Sequence, residues 1–298
     1  MHVAVLGAGA GGGLPQWNCG CQNCSDARIG KLPQMTQSSV GVSADGDNWV
    51  VLNASPDIRV QLAQCKDMHP RSVRHTPIRS IVLTNGDIDH IAGLLTLREK
   101  TELSIFATAE TASAVHDNSV FGVLDRTLVS FEPIVLDAKF EPAPGLSILP
   151  FAVPGKVPLF LEGNNADLDL KAMGEQTIGL CLSAGGRTLY YIPGCADLPD
   201  WLVERLSDAD LLLFDGTVWE DDDMRRTGTG QKTGGRMGHI SITGPEGSLA
   251  RLSGLSECRK VYIHINNTNP ILQPEGLERE TAMTAGWEIA QDGMRFEI

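Results

Sequence analysis

No stretch of this 298-residue chain comes near the roughly eighteen consecutive apolar residues that a membrane helix requires, which argues against a membrane partner. Basic residues are scarce beside acidic ones, 24 Lys and Arg against 37 Asp and Glu, and the formal net charge of -13 argues against a nucleic-acid partner gripped through its phosphates. A small or peptide substrate fits that balance better. Aromatic residues make up only 5% of the chain. The opening run Met1-His2-Val3-Ala4-Val5-Leu6 has no basic flank and no signal-peptidase pattern, so the expected location is the cytoplasm. Nor is there a low-complexity linker or an exact internal repeat, and the length allows one large domain, 1–298, or two ordinary ones.

What is present starts with short apolar runs punctuated by glycine, proline and polar residues. Val3 to Leu6 reads as a strand, followed by GAGAGGGLP from Gly7 to Pro15. Gly7, Gly9 and Gly12 have the spacing of a dinucleotide-binding fingerprint, but that mechanism needs a helix opening on the third glycine. Gly13 and Pro15 follow instead, so a tight loop at a strand end is expected. Two hairpins stand out: residues 38–43 with 48–53 around Ala44-Asp45-Gly46-Asp47, and 178–182 with 188–192 around Ala184-Gly185-Gly186-Arg187. Helices are expected over 58–64, 91–100, 111–116 and 245–255, and short strands over 81–83, 103–107 and within 129–153. Residues 155–169 read as loop. Leu211 to Asp215 and Lys260 to His264 read as buried strands, each ending on a polar residue. This order, run through twice, suggests one domain of two similar halves.

Three groups of residues carry chemistry. In Thr84-Asn85-Gly86-Asp87-Ile88-Asp89-His90, the residues Asp87, Asp89 and His90 follow a strand and precede an apolar segment, where catalytic groups sit on a rigid scaffold. A lone aspartate there would simply cap the helix; an Asp-x-Asp-His run points to a metal. Further ligands have to come from other strand ends, and Asp215, His239 and His264 offer themselves. Carboxylates with imidazoles suit zinc, iron(II) or manganese, and open positions on iron would give an oxygen-activating centre. The second group, Trp17-Asn18-Cys19-Gly20-Cys21-Gln22-Asn23-Cys24, puts three thiols within six residues, a structural zinc pattern lacking its fourth ligand. The first place to look for that ligand is His264-Ile265-Asn266-Asn267-Thr268-Asn269. Cys65, Cys181, Cys195 and Cys258 read as ordinary buried thiols. The third group follows Asp215: Thr217, Trp219, an acidic run Glu220 to Asp223 expected to be a solvated face, and a polar Gly228–Gly235 loop able to cover a site.

The order of strand end, Asp-x-Asp-His, later histidine and later strand-end histidine resembles the metallo-β-lactamase family, whose signature is His-x-His-x-Asp-His. That resemblance implies an α+β fold, the four-layer αββα sandwich. On that pattern Asn85 and Asp87 stand at the two leading histidine positions, Asp89 and His90 match, and Cys195 stands where a bridging aspartate would be, which argues against a dinuclear zinc hydrolase. More closely, AGGGLPQWNCGCQNC, NASPDIRVQL, DIDHIAGLLTLRE, DGTVWEDDDM, MGHISITG and HINNTNPIL resemble the family of pyrroloquinoline quinone (PQQ) biosynthesis protein B, nearly end to end. That resemblance implies structural Zn2+ on Cys19, Cys21 and Cys24 and a step in making PQQ from a peptide's glutamate and tyrosine. Two roles are implied: an Fe2+- and O2-dependent hydroxylase acting on the tyrosine ring of a Glu-Tyr-type substrate, or a noncatalytic carrier helping PQQ towards the periplasm. In the first, Asp89, His90 and His264 would hold iron with Asp87 or Asp215 as further candidates, and His239 would be a ligand or an acid-base group. Whether copies of the chain form a homo-oligomer is left open by the sequence.

Overall fold

The computed structural model describes residues 1–157 and 172–298. Most of the segment expected as loop over 155–169 lies outside the described residues. Fourteen strands follow one another among the described residues: β1 (His2–Gly7), β2 (Ser39–Ser43), β3 (Trp49–Leu52), β4 (Ile78–Val82), β5 (Leu103–Ala107), β6 (Val129–Pro133), β7 (Phe140–Ala143), β8 (Leu146–Ala152), β9 (Ile178–Ala184), β10 (Arg187–Ile192), β11 (Leu211–Asp215), β12 (Arg259–Ile263), β13 (Trp287–Ile289) and β14 (Arg295–Glu297). They form two seven-stranded sheets, β14-β1-β2-β3-β4-β5-β6 and β13-β12-β11-β10-β9-β8-β7. In each sheet three antiparallel pairings give way to three parallel ones, from β3–β4 onward in the first and from β10–β11 onward in the second.

Period-two alternation sorts the side chains of the first sheet. Val3, Val5, Val50 and Leu52 turn into the core shared with Leu180, Leu182, Leu213 and Val261 of the second sheet. Their neighbours Ala4, Leu6, Trp49 and Val51 turn to the other face, where Ile58, Leu94 and Val115 of helical segments cover them. The result is the αββα sandwich of the α+β class. A one-residue slip in any of these strands would exchange the two apolar sets, so the register is strongly specified.

Both expected hairpins form, as β2–β3 and β9–β10. The Asp45 carboxylate closes the first by accepting the N–H groups of Asp47 and Asn48, at 2.8 Å each. Gly185 and Gly186 close the second at φ 59° and 78°, conformations that suit glycine. The helix Ile58–Gln64 matches its expectation, and the expected 111–116 helix is Ala109–His116, capped by the Thr108 hydroxyl. Two expected helices are cut short. In place of 91–100 there is one helical turn, Ile88–Ile91, continued by a tighter one, Ala92–Leu95. The chain there is pinned against the turn after β3, Ala54 N to His90 O at 2.7 Å and Gly93 N to Ala54 O at 2.8 Å. In place of 245–255 only Ser248–Arg251 is helical. The acidic run is not uniformly solvated either: Asp223 is 3% exposed and its Oδ2 accepts the Trp219 N–H at 2.7 Å. No helix among the described residues is long and apolar enough to cross a membrane.

Candidate metal centre

The parallel strands of both sheets deliver their chemistry at their carboxyl ends, where open α/β layers place ligands. Past β4 come Asn85, Asp87, Asp89 and His90; β11 ends on Asp215; His264 follows β12 directly. The sandwich brings these ends together. One ligand atom from each of Asp89, His90 and His264 falls within 4.8 Å of the others, and the same holds for Asp215, His239 and His264. His264 belongs to both groups, so five of the expected residues make one centre, at a cavity of about 210 Å³. Asp87 lines that cavity and takes the N-cap position of the Ile88–Ile91 turn, where its side chain makes no capping hydrogen bond; among the described residues it joins neither group.

The hydrogen bonds fix which lone pairs are available. Asn85 Oδ1 accepts the backbone N–H of Asp87 at 3.0 Å, which identifies that atom as the oxygen. His90 Nδ1, 2.7 Å from the same oxygen, must therefore donate. That leaves His90 Nε2 as a bare lone pair, buried and without a hydrogen-bond partner among the described residues, 3.9 Å from Asp89 Oδ2. Burial, with His264 and His239 nearby, brings the His90 imidazole down to about 4 in spite of the Asp89 charge, so it is neutral at neutral pH. Burial alone would raise Asp89, but the imidazoles of His90 and His264 outweigh it and hold the carboxylate well below its usual range. His264 Nε2 lies 3.0 Å from Asp89 Oδ2; burial opposes its charged form, but that hydrogen bond and the charges of Asp89, Asp215 and Asp87 raise it above an ordinary imidazole. An orphaned imidazole nitrogen facing a carboxylate and a second imidazole is a donor set that fits a divalent ion.

Asp215 does different work. Its carboxylate accepts Cys195 N at 2.9 Å, Thr217 N at 3.0 Å, Thr217 Oγ1 at 2.7 Å and His239 Nδ1 at 2.7 Å, which accounts for all four of its lone-pair positions. It holds His239 in one tautomer with Nε2 left over. The single hydrogen of the Thr217 hydroxyl faces two acceptors, Asp215 Oδ1 at 2.7 Å and His264 O at 2.8 Å, and with it on either one the hydroxyl oxygen accepts from His264 Nδ1 at 2.9 Å. Asn85 and Thr217 therefore orient the imidazoles, although in the sequence Asn85 stands out only at the place of a missing histidine and Thr217 only as a neighbour of Asp215. The signal was available in both cases, a polar residue just past a strand end and two positions from a candidate site residue, Asn85 from Asp87 and Thr217 from Asp215. Cys195 is fully buried, donates to Asp197 O at 2.9 Å, and burial pushes its thiol far up; among the described residues it joins no ligand group. Cys65, Cys181 and Cys258 are likewise buried free thiols.

The second cluster lies across the loop after β12. The sulfurs of Cys19, Cys21 and Cys24 fall within 4.8 Å of one another, with Cys21 capping and Cys24 inside the helix Gln22–Arg28. Burial pushes Cys24 up to about 11, while at Cys21 the same burial is outweighed by the Cys24 backbone N–H and the neighbouring side chains, so Cys21 loses its proton more readily than a free thiol. Three convergent thiols are a soft donor set that fits zinc. A cavity of about 480 Å³ beside them shares Gly11, Met237 and Asn266 with the cavity of the metal centre.

Two facing mixed sheets with a carboxylate-imidazole centre at their strand ends define the class, and residues 48–265 match the model of the Beta-lactamase superfamily domain. At full length the chain is 56% identical to coenzyme PQQ synthesis protein B of Ruegeria pomeroyi over 298 residues and 55% identical to that of Rhizobium meliloti over 301 residues, covering all of this chain in both cases and 100% and 98% of the relatives. The crystal structure of Zn2+-bound PqqB from Methylobacterium extorquens superposes with a TM-score of 0.97 at 50% identity, with complete coverage of both chains. A diphosphatase of the PhnP family, 21% identical with a TM-score of 0.69 and covering 100% of this chain and 97% of its own, shares the fold. Within the β-lactamase superfamily, this chain belongs to the coenzyme PQQ synthesis protein B family.

Proposed function

We propose that the chain acts in pyrroloquinoline quinone biosynthesis as a hydroxylase of the tyrosine ring of a Glu-Tyr-derived precursor, with one divalent ion held by Asp89, His90 and His264 and a zinc ion held by the three cysteines. The observation that carries this reading is the bare, buried Nε2 of His90 beside Asp89 and His264, with Asn85 spent on orienting that ring. A single ion in a carboxylate-imidazole set suits oxygen chemistry better than two-metal hydrolysis. The relatives' name supports the pathway, and the zinc in the Methylobacterium extorquens protein supports metal binding in the family.

Iron(II) at this centre would supply the activation of dioxygen. In the overall reaction one oxygen atom replaces a ring hydrogen as a hydroxyl group, and the other leaves as water with two electrons and two protons from an external reductant. His239, whose Nδ1 is held by Asp215 at 2.7 Å, would take up or return the phenol proton. Lys156 and Lys232 line the same cavity and carry charge opposite to the substrate's carboxylates. With its neighbour the cavity reaches the size range of small-molecule sites.

The test loads metal-free protein anaerobically with iron(II), adds a tyrosine-glutamate compound, ascorbate and oxygen, and follows product mass. A gain of one or two oxygen atoms that disappears in Asp89→Ala and His90→Ala supports the hydroxylase. No gain, together with tight binding of the finished quinone, replaces it with the carrier; hydrolytic cleavage of the compound replaces it with a hydrolase.

A further inference from the structure

We propose that Asn267 is the fourth protein group of the Cys19/Cys21/Cys24 site, and that through it a metal ion on the thiolates fixes the loop presenting His264; this rests on reading both clusters as metal sites. Three thiolates within six residues enclose a soft ion on one side only, and a tetrahedral site needs a group from elsewhere. The Asn267 carboxamide covers the open side. Its Nδ2 lies 3.3 Å from Cys19 Sγ, 3.6 Å from Cys21 Sγ and 3.3 Å from Cys24 Sγ. Rotation about the last side-chain bond exchanges the amide nitrogen for its oxygen, so the group that hydrogen-bonds free thiolates can turn an acceptor towards a cation. Its main-chain oxygen is engaged separately, by Asn23 Nδ2 at 2.9 Å and the Cys21 thiol at 3.7 Å.

The same loop reaches the other centre within three residues. His264 sits at φ 58°, a left-handed conformation that a non-glycine residue keeps only where its surroundings over-determine it. The surroundings here are the Thr217 hydroxyl, 2.8 Å from the His264 main-chain oxygen, and the loop's own ties. Ile265 pairs with the strand-end loop of β1 through Ile265 N to Ala8 O and Ala10 N to Ile265 O, both 2.9 Å. Asn266 N donates to Thr217 O at 3.2 Å, and Asn269 Nδ2 donates to Gly216 O at 2.8 Å. Asn267 is the residue between these ties, and its side chain is anchored only by the thiol cluster among the contacts of the described residues. An ion that holds Asn267 therefore also holds the backbone that aims His264 at Asp89. Asn267 is on this view a ligand of one site and a positioning residue for the other.

The test titrates the full-length, metal-stripped protein with cobalt(II), reading the thiolate-to-cobalt charge-transfer band for the cysteine site and the ligand-field bands for the Asp89/His90/His264 centre. Asn267→Ala is expected to weaken cobalt at the thiolates 10- to 100-fold. It should also weaken cobalt several-fold at the second centre, although no ligand there has changed, while Asn267→Asp keeps both. In the unmutated protein, filling the thiolates first with cadmium should tighten cobalt at the second centre. Unchanged thiolate affinity in Asn267→Ala removes Asn267 from the site, and an unchanged second centre after cadmium loading overturns the link even if the alanine variant does not fold. An unmutated chain that binds cobalt at neither cluster overturns the metal reading itself, and this inference with it.

Discussion

Which nitrogen of His90 faces the cavity is decided by one amide. Asn85 Oδ1 is tied to the Asp87 N–H, so it can only accept from His90 Nδ1, and the ring has no freedom to turn its proton towards Asp89. Replacing that acceptor releases the ring. Asn85→Ala is expected to lower zinc or iron affinity at this centre by about 10- to 100-fold with little change in overall stability, whereas Asn85→Asp, which keeps an acceptor, should lose much less. Competition titration against a chromophoric chelator measures both; equal affinity in Asn85→Ala and the parent would mean that the ring is held by packing alone. Thr217 plays the corresponding part for His264, and Asp215 for His239.

The element that presents Asp89 and His90 is a short helical segment wedged against the turn after β3. Gly93 is what allows that approach: a Cβ built there would stand 2.2 Å from Ser55 O and 2.7 Å from Ala54 O, both backbone atoms that cannot swing aside. Gly93→Ala must push the segment away from the turn and break the Gly93 N to Ala54 O bond. Overpacking of this kind costs about 1 to 3 kcal/mol, and more where backbone is the obstacle. Thermal unfolding should show a drop of several degrees, accompanied by weaker metal binding because His90 moves with the segment. A variant with parental unfolding temperature would show that the segment shifts freely, contrary to its two backbone ties.

At the scale of the whole molecule, the acid run after Trp219 makes stability depend on pH. Burial raises the Asp223 carboxyl to about 6, despite its hydrogen bond from Trp219 N–H. The folded chain therefore keeps this proton more tightly than the unfolded chain, whose carboxyl has an ordinary value near 4. Between those values the unfolded state releases its proton first, so this group's contribution to stability falls as pH rises from about 4 to 6 and stays lost above that. Asp223→Asn keeps an acceptor for Trp219 and removes the titration. Denaturant unfolding of parent and variant at pH 4 and pH 7 should show the variant gaining stability relative to the parent on going to the higher pH, on the order of 2 kcal/mol once partial screening is allowed for. A constant difference would place the Asp223 carboxyl at an ordinary value. Taking the difference between the two proteins removes the opposite contribution of His90, whose depressed imidazole makes the fold more stable as pH rises through nearly the same window.

Much of this architecture is local in origin. Both hairpins follow from turn residues between apolar runs, β11 and β12 from short buried-type runs ending on Asp215 and His264, and the thiol cluster from three cysteines within six positions; each signal is complete within sixteen consecutive residues of the chain or fewer. The candidate ligands Asp89, His90, Asp215, His239 and His264 were readable for the same reason, as polar residues at or after strand ends. Tertiary structure alone decided how they meet. That His264 joins both ligand groups, that Asn85 turns His90 while Asp87 lines the cavity without joining either group, and that Asn267 reaches cysteines more than 240 positions away follows from the packing of two sheets and the register of their strands. The helix expected over 91–100 gives way to shorter turns because the turn after β3 captures the segment, and Asp223 departs from a solvated acidic run because its burial depends on the fold around Trp219. Periodicity records which face of an element is apolar; it carries no record of what lies opposite that face, and the chemistry of this protein is made where the ends of distant elements come within a few ångströms of one another.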